Sequence, residues 1–261
     1  RSDERVQLYP HQRKAIDALH SGCILCGGVG TGKSITSIGY FYEKECGGAI
    51  LQDGSLVPPP SFPELIIITT ARKRDTHEWD AELTRFGVSA IVDSWNNIGK
   101  YVNGHDGAFY IFDEQRVVGS GAWVKFFILI TQKHHWILLT ATPGDSWMDY
   151  IPVFIANGFY KNRTQFLRRH AVYNRYSKYP KVDRYVECGH LERLRRQITV
   201  LMKYDKKTGR LLFTKQMKKE YTILMPNMAP IHFKILEKVF NYYGYKSDLL
   251  DTTGPEIAHR S

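Results

Sequence analysis

The stretch CGGVGTGKSI, residues 26–35, limits the possible folds of this chain more than any other segment. It matches the pattern G-x-x-x-x-G-K-[ST] at Gly27, Gly32, Lys33 and Ser34. A short apolar run precedes the pattern and a helix-like segment follows it. This order predicts a strand, a glycine-rich turn and a helix, which is the local context that the pattern requires.

The residue types in this loop suit the binding of phosphate. Glycines let backbone N–H groups turn inward and approach phosphate oxygens without Cβ clashes, and the helix that follows directs its partially positive end to the same place. Lys33 would contact the β- and γ-phosphates, and the hydroxyl of Ser34 would ligate Mg²⁺. The predicted nucleotide-binding residues of the loop are Gly28, Val29, Gly30, Thr31, Gly32, Lys33 and Ser34.

Short apolar runs alternate with helix-like segments along the first 158 residues. We predict strands over residues 23–26, 64–70, 89–93, 108–114 and 134–142. We predict helices over residues 10–20, 32–44, 72–86, 121–132 and 145–156. Continuous apolar strands separated by helices are typical of a parallel sheet covered on both faces, so the sequence predicts an α/β fold whose core ends near residue 158.

The strand that contains FYIFDEQR supplies the acidic half of a nucleotide site. Asp113 and Glu114 stand at the end of this strand. Two adjacent carboxylates are costly to bury there unless a cation is nearby. We expect Asp113 to hold Mg²⁺ and Glu114 to orient and activate the attacking water. With Lys33, these are the predicted catalytic residues.

Charge is concentrated in one part of the chain. Residues 161–220 contain 18 Lys and Arg but 5 Asp and Glu, a local net charge of +13, whereas the whole chain carries +10. Tyrosines are interleaved with these cations, which suggests a polyanionic partner. The alternative is a solvated charged surface. Leu191, Leu194 and Ile198 recur at helical spacing, so one face of that helix is expected to pack on protein.

Several classes of protein are disfavoured by what the sequence contains. It shows no apolar run of membrane-spanning length and no [NT]-K-x-D guanine motif, so we expect neither a membrane partner nor a GTP switch. Cys23 and Cys26 form a C-x-x-C pair that could bind a metal, but no second pair follows, and a buried strand is the favoured interpretation. The cysteines fit a reducing cytosol, and a cytoplasmic location is expected.

Six segments occur in an order that resembles a known family. They are LYPHQRKAIDAL (8–19), GGVGTGKS (27–34), IIITTARKRDTHEWDAEL (66–83), DSWNNI (93–98), IFDEQR (111–116) and LLTATP (138–143). Their order resembles the first RecA-like lobe of superfamily 2 helicases, and most closely the Swi/Snf-type DNA-dependent ATPases. The segment ATPGDSWMDYIPVFIANGFY is similar to small helicases of bacteriophages and mobile elements. The resemblance implies a P-loop NTPase fold, ATP and Mg²⁺ as cofactors, and duplex or forked DNA as partner.

The resemblance also implies roles for individual residues. Gln12 would read adenine, with Tyr9 or His11 helping to hold the base; a solvent-facing helix position is the alternative for Gln12. The residues implied to contact nucleic acid are Thr70 and Ala71, preceded by Thr69, and then Ser94, Trp95 and Asn96. Packing is the alternative for Trp95, and packing and capping are the favoured roles for Trp79 and Glu82.

A third set would couple the nucleotide site to the nucleic-acid groove. Thr140, Ala141 and Thr142 resemble this coupling motif, and their hydroxyls would sense Asp113 and Glu114. Arg116 stands where members of the family often have histidine, so its contact with the coupling motif would form differently or be made to another lobe.

Such enzymes need a second RecA-like lobe, and no motif of that lobe is recognisable before Ser261. We therefore expect three regions: an ATP-binding lobe over residues 1–158, a basic, mainly helical extension over 159–225 with a hairpin around Lys207 to Arg210, and a connector over 226–261 toward the second lobe, in cis or on a partner subunit. The chain is expected to be a fragment that hydrolyses ATP very slowly on its own. Two alternatives remain open: a nucleotide-gated DNA-binding module without turnover, and the motor of a restriction or repair complex.

Overall fold

The computed structural model describes residues 5–28, 30–114, 120–144 and 146–202, together with the backbone of 204–205 and 210–211. Val29, Arg116 and the predicted connector over residues 226–261 therefore lie outside the described residues. In the part of the chain that is described, no helix combines the length and the apolar character that crossing a bilayer requires.

The described elements are short and follow one another closely. The strands are β1 (Ile24–Gly27), β2 (Ala49–Ile50), β3 (Leu56–Val57), β4 (Leu65–Thr69), β5 (Ile91–Ser94), β6 (Phe109–Asp113), β7 (Trp136–Thr140), β8 (Ala171–Tyr173), β9 (Val182–Tyr185), β10 (Thr199–Met202), β11 (Tyr204–Asp205) and β12 (Arg210–Leu211). The α-helices are α1 (Pro10–Ala18), α2 (Lys33–Tyr40), α3 (Ala71–Asp75), α4 (Asp80–Phe86), α5 (Ala122–Thr131), α6 (Ile151–Ala156), α7 (Arg163–His170) and α8 (Cys188–Ile198). A π-helical turn (Phe41–Glu45) extends α2, and 3₁₀ turns cover Trp95–Tyr101 and Trp147–Tyr150.

Six strands form one sheet in the order β10-β1-β7-β6-β4-β5, and every neighbouring pair in it is parallel. Parallel strands place all their carboxyl ends at the same edge, where the loops of doubly wound α/β proteins bind ligands. The residues that follow β1, β7, β6, β4 and β5 therefore converge at one edge. The predicted α/β fold with a parallel sheet is confirmed.

Helices cover both faces of the sheet and create two apolar clusters. The strands are buried on both sides, as β4 shows, since Ile66 and Ile68 belong to one cluster while Leu65 and Ile67 belong to the other. Helices α5, α6 and α8 close the first cluster, and α1, α2 and α4 close the second. Because helices cover both faces, the inner strands β4, β6 and β7 consist of continuous buried residues instead of an alternating pattern.

The predicted helix over residues 72–86 is two helices. Thr70 caps the start of α3 by accepting a hydrogen bond from the N–H of Lys73, and α3 stops at Asp75. His77 then adopts a left-handed backbone (φ 54°), which redirects the chain before α4 begins at Asp80. This break turns Trp79 inward, where it is 2% exposed.

The sheet does not end near residue 158 as the sequence suggested. Strand β10, from the predicted basic extension, pairs with β1 over four residues, and α8 packs into the first apolar cluster. The inward face of α8 carries Leu191, Leu194 and Ile198, all buried, which confirms the predicted packing face. How the chain divides into domains stays a prediction, but the extension contributes one strand to the main sheet.

Two antiparallel pairs stand outside this sheet in the basic region. Strands β8 and β9 form a hairpin whose turn spans residues 174–181, and the backbone N–H of Asn174 closes it by donating to Lys181 O (2.8 Å). Strands β11 and β12 pair on either side of residues 206–209, where the sequence predicts a hairpin. The extension is therefore less helical than expected.

Candidate functional site

A cleft of about 600 Å³ opens at the carboxyl edge of the sheet. It is lined by Gly30, Gly32, Lys33, Ser34, Ile35, Lys73, Glu78, Glu82, Asp113, Glu114, Thr140, Ala141 and Thr142. The glycine loop follows β1, the acidic pair ends β6, and β7 lies between these two strands. The structure thus brings together the loop, the two carboxylates and the predicted coupling residues in a single cleft.

The glycine loop depends on backbone conformations and close approaches that other residues tolerate poorly. Gly30 and Gly32 have φ of 79° and 85° in the left-handed region. A Cβ on Gly27 would lie 2.5 Å from Thr31 Oγ1 and 2.7 Å from the carbonyl oxygen of Met202. The hydroxyl of Thr31 donates to Gly28 O (2.8 Å) and closes the turn. The loop is therefore fixed partly by β10, an element that local sequence reasoning did not connect to it.

Helix α1 holds this loop through Thr31. The carbonyl of Thr31 accepts hydrogen bonds from Gln12 Nε2 (3.3 Å) and from His11 Nε2 (3.0 Å). Burial lowers the pKa of His11, so the neutral ring with its proton on Nε2 is the form that fits this contact. Gln12 Oε1 also accepts from the N–H of Tyr9 (2.9 Å), and Gln12 is buried. The amide predicted to read adenine is thus engaged within the protein, while Tyr9 is exposed beside it.

Lys33 begins α2 and turns back over its own loop. Its Nζ donates to Gly27 O (2.6 Å) and Gly28 O (3.2 Å) while the side chain lines the cleft. Burial lowers the pKa of Lys33. Ser34 follows it and also lines the cleft. Lys33 and Ser34 therefore line the same cleft as the carboxylates at the end of β6.

Asp113 is 3% exposed and is held from three sides. Its Oδ2 accepts hydrogen bonds from Thr69 Oγ1 (2.8 Å) and Trp79 Nε1 (3.3 Å), while its backbone carbonyl accepts from Trp95 Nε1 (3.1 Å). Two indoles and one hydroxyl thus fix the carboxylate and the peptide of one residue; Thr69 ends β4, Trp95 follows β5, and Trp79 precedes α4. Groups around a metal-binding carboxylate that hydrogen-bond it in this way set its orientation.

Glu114 occupies a strained backbone position at the mouth of the cleft. Its φ is 68°, which costs a residue with a side chain about 1–3 kcal/mol. The strain is offset locally because the N–H of Glu114 donates to Leu139 O on β7 (2.8 Å). The side chain is 40% exposed and reaches into the cleft. The sharp turn after β6 thus separates a buried carboxylate from an accessible one.

Lys73, which the sequence analysis did not single out, joins the two carboxylates. Its Nζ lies 3.2 Å from Asp113 Oδ2 and 3.1 Å from Glu114 Oε1. Burial alone would lower the pKa of Lys73, but the two carboxylates outweigh burial and raise it. A basic residue one turn after β4 carries no local signal for this contact, because Asp113 is forty positions away along the chain.

The residues implied to contact nucleic acid differ in accessibility. Thr70 and Ala71 are partly exposed, and Asn96 is exposed. Ser94 and Trp95 are each 2% exposed, and the ring of Trp95 stacks on Phe112. Trp95 therefore packs within the protein, which was the alternative for this residue, and Ser94 is buried beside it, while their contact with nucleic acid stays a prediction. Thr69 is likewise buried and serves Asp113 instead.

The coupling segment lines the same cleft as the acidic pair. Thr140 Oγ1 donates to Thr142 O (3.0 Å) and accepts from Thr142 N (3.0 Å), which shapes the turn after β7. Ala141 and Thr142 are exposed at the cleft. This segment can therefore meet a bound ligand.

The residues present fit a magnesium-bound phosphate. Mg²⁺ prefers oxygen ligands and usually binds through one or two carboxylates plus phosphate oxygens, and Ser34 and Asp113 provide a hydroxyl and a carboxylate in the same cleft. The ammonium group of Lys73 between two carboxylates marks the place where this cleft attracts a cation. The donor set therefore matches the predicted cofactors.

Solved structures with the same fold support the RecA-like assignment. The chain is similar to the Sulfolobus solfataricus SWI2/SNF2 ATPase core in complex with dsDNA (14% identity, TM-score 0.56), covering 85% of this chain and 53% of that one. It is also similar to the Sulfolobus solfataricus SWI2/SNF2 ATPase core domain (14% identity, TM-score 0.52), covering 85% and 51%. This chain spans about half the length of those structures. No protein-family model matches the sequence, and no curated protein matches it.

Proposed function

We propose that this chain is the ATP-binding motor lobe of a DNA-dependent ATPase of the Swi/Snf-like branch of superfamily 2. The observation that carries the proposal is the convergence of Lys33, Ser34, Asp113 and Glu114 on one cleft at the carboxyl edge of the sheet. Lys33 and the two carboxylates lie about eighty positions apart in the sequence, and together they supply the positive and negative groups of a phosphoryl-transfer site.

Each of these residues has a chemical role in the proposal. Backbone N–H groups of the glycine loop and Lys33 bind the β- and γ-phosphates, and Ser34 and Asp113 hold Mg²⁺. Bound magnesium supplies neutralisation of charge on the phosphate oxygens. Glu114, accessible at the end of its strained turn, orients the water that attacks the γ-phosphate. Thr69, Trp79 and Trp95 keep Asp113 in place and do not touch the ligand.

A second RecA-like lobe completes the proposed enzyme. A transition-state arginine from such a lobe contributes about 10³–10⁵ in rate in related phosphoryl-transfer sites. Because the described residues form one lobe only, we propose that this chain binds ATP and Mg²⁺ but turns ATP over slowly without its partner lobe. Nucleotide binding, and not turnover, is therefore the first property to measure.

Titration of the chain with a fluorescent ATP analogue in the presence of Mg²⁺ tests the nucleotide site. Losing a charge-assisted contact of about 1.5–3 kcal/mol should weaken binding about 10–150-fold in Lys33→Ala. Lys125→Ala, an exposed lysine on α5, is the matched control and should bind like the wild type. Glu114→Gln should retain binding and remove any residual turnover. Equal affinities for Lys33→Ala and the control would refute the nucleotide site.

The nucleic-acid partner is proposed from the basic region. The hairpin β8–β9 carries Tyr176 and Tyr179 at its turn, exposed by 98% and 72%, with Lys178 over the ring of Tyr179. Exposed aromatic faces among cations suit stacking on bases and attraction to a phosphate backbone. We propose that this hairpin contacts DNA when the lobe acts on a duplex or fork.

Anisotropy titrations with labelled duplex and single-stranded oligonucleotides at several salt concentrations test the hairpin. Tyr176→Ala should weaken binding to single strands by about 1–3 kcal/mol, because one stacking contact is lost. Lys178→Gln should instead make the slope of log affinity against log salt concentration less steep, by the amount expected for the loss of about one phosphate contact. Tyr42→Phe, on the opposite side of the sheet, serves as control. If both variants bound DNA with the affinity and salt dependence of the wild type, the hairpin would not be part of the DNA interface.

A further inference from the structure

The two lysines of the cleft are used in different ways. Lys33 donates to carbonyls of its own loop, whereas Lys73 lies between Asp113 and Glu114. Lys33, the lysine proposed to bind phosphate, thus contacts its own loop, and Lys73, which follows β4, contacts the two carboxylates. This division of the cations points to a task for Lys73 that the proposed reaction does not assign.

The acidic pair needs a positive partner to stay in its observed position. Asp113 is buried, and among the described residues its Oδ2 receives hydrogen bonds from the neutral donors Thr69 and Trp79 and from the charged Lys73. Hydrogen bonds from neutral groups stabilise one carboxylate, but they do not offset repulsion from the next one along the chain. Lys73 contacts both carboxylates, so its charge offsets the cost of burying Asp113 and the repulsion between Asp113 and Glu114.

A magnesium ion with Asp113 as its ligand would be attracted by the same pair of carboxylates as this ammonium group. Lys73 is 30% exposed and sits on a short helix whose first turn is fixed by Thr70, so its long side chain can leave the carboxylates while the backbone remains in place. Two cations that share one pair of anions compete, since both lower the same electrostatic energy. The competition acts only through Asp113 and Glu114, not through phosphate.

We propose that Lys73 is a positioning residue that holds Asp113 and Glu114 before nucleotide binds and yields Asp113 to magnesium. Lys73 thereby sets the concentration of Mg²⁺ that nucleotide binding requires. The inference rests on the proposed function, because it takes Asp113 to be the magnesium-binding carboxylate. Without Lys73 the chain loses stability when magnesium is absent, and magnesium restores part of that loss.

The test measures the Mg²⁺ midpoint for binding of a fluorescent ATP analogue at fixed nucleotide concentration. Lys73→Met keeps the length of the side chain without its charge and should lower the midpoint about fivefold, which corresponds to about 1 kcal/mol. Lys73→Arg keeps the charge and should restore a midpoint close to that of the wild type. Arg72→Met removes one charge from an exposed position of the same helix and is the control, with no expected shift.

Thermal unfolding with Mg²⁺ alone gives a second readout that needs neither nucleotide nor turnover. Magnesium should raise the melting temperature of Lys73→Met more than that of the wild type or of Arg72→Met. Weaker nucleotide binding in Lys73→Met with an unchanged Mg²⁺ midpoint would overturn the inference and make Lys73 a phosphate contact or a structural residue. A wild type that fails to bind the nucleotide would instead reject the proposed function, so the two failures are distinguishable.

Discussion

Gly32 is a position in the glycine loop where the effect of one added methyl group can be worked out from the structure. Its φ of 85° lies in the left-handed region, and occupying that region with alanine costs about 1–2 kcal/mol. A Cβ there would also overlap the amide nitrogen of Gln12. Gln12 can move away because the clash involves the end of its side chain, but it then gives up its bonds to Thr31 and Tyr9.

The expected size of the effect follows from these two costs. Each hydrogen bond of Gln12 contributes about 0.5–1.5 kcal/mol, so displacing the side chain costs about 1–3 kcal/mol. Gly32→Ala should therefore lower the free energy of unfolding by about 2–5 kcal/mol in total. In a Gln12→Ala background the clash is gone, and the same substitution should cost only the backbone strain of about 1–2 kcal/mol.

Equilibrium unfolding in urea of the four members of this double-mutant cycle measures the coupling directly. Gly28→Ala is the matched control, since a Cβ there meets nothing within 4 Å, and it should change stability by about 0.5 kcal/mol or less. If Gly32→Ala costs the same with and without Gln12, helix α1 does not support the loop in the way that the contacts suggest.

Three further predictions concern the core, the thiols and acid stability. Ile198→Ala should lower the free energy of unfolding by about 2–5 kcal/mol in urea titrations, because its side chain is buried in the first apolar cluster; a cost below about 0.5 kcal/mol would place α8 outside the core. Cys188, which is exposed, should react with a thiol reagent in the native chain well before Cys23, since burial raises the pKa of Cys23 to about 11 and hides the thiol; simultaneous labelling would contradict the packing of β1. Burial alone would raise the pKa of Asp93, but hydrogen bonds outweigh it and lower this pKa; the donors are Tyr101, Asn97, Ser94 and Arg74. The ionised carboxylate therefore stabilises the fold at neutral pH, and this contribution is lost as the pH falls through the depressed pKa. Asp93→Asn should therefore destabilise the chain at pH 7 and approach the wild type in acid, and a stability difference independent of pH would reject this.

The parts of the site that were predictable are those with local signals. The glycine loop is a contiguous pattern, and Asp113 and Glu114 end an apolar strand, so both could be located from neighbouring residues. Their meeting in one cleft follows from parallel strands, whose carboxyl ends share an edge. The α/β fold was accessible for the same reason, because each strand and helix carries its own pattern.

The rest depends on contacts between distant segments. Trp79 reaches Asp113 after a left-handed His77 breaks the helix that periodicity extends through this region, and Lys73 reaches Asp113 from the short helix before that break. Trp95 resembles a surface contact in sequence, yet it is buried and bonded to the peptide of Asp113. Burial of an aromatic residue depends on what packs over it, and a single sequence does not display that.

Strand β10 also gives the lobe a mechanical property. It pairs with β1 in parallel through four residues, and its last residue, Met202, contacts Gly27 at the base of the loop. Tension applied to the polypeptide after Met202 would load the β1–β10 ladder along its length, so its hydrogen bonds would share the force instead of breaking one by one. The β1–β10 ladder thus joins the glycine loop to the polypeptide that follows Met202 and resists shear between them. Strain applied after Met202 can therefore deform the loop.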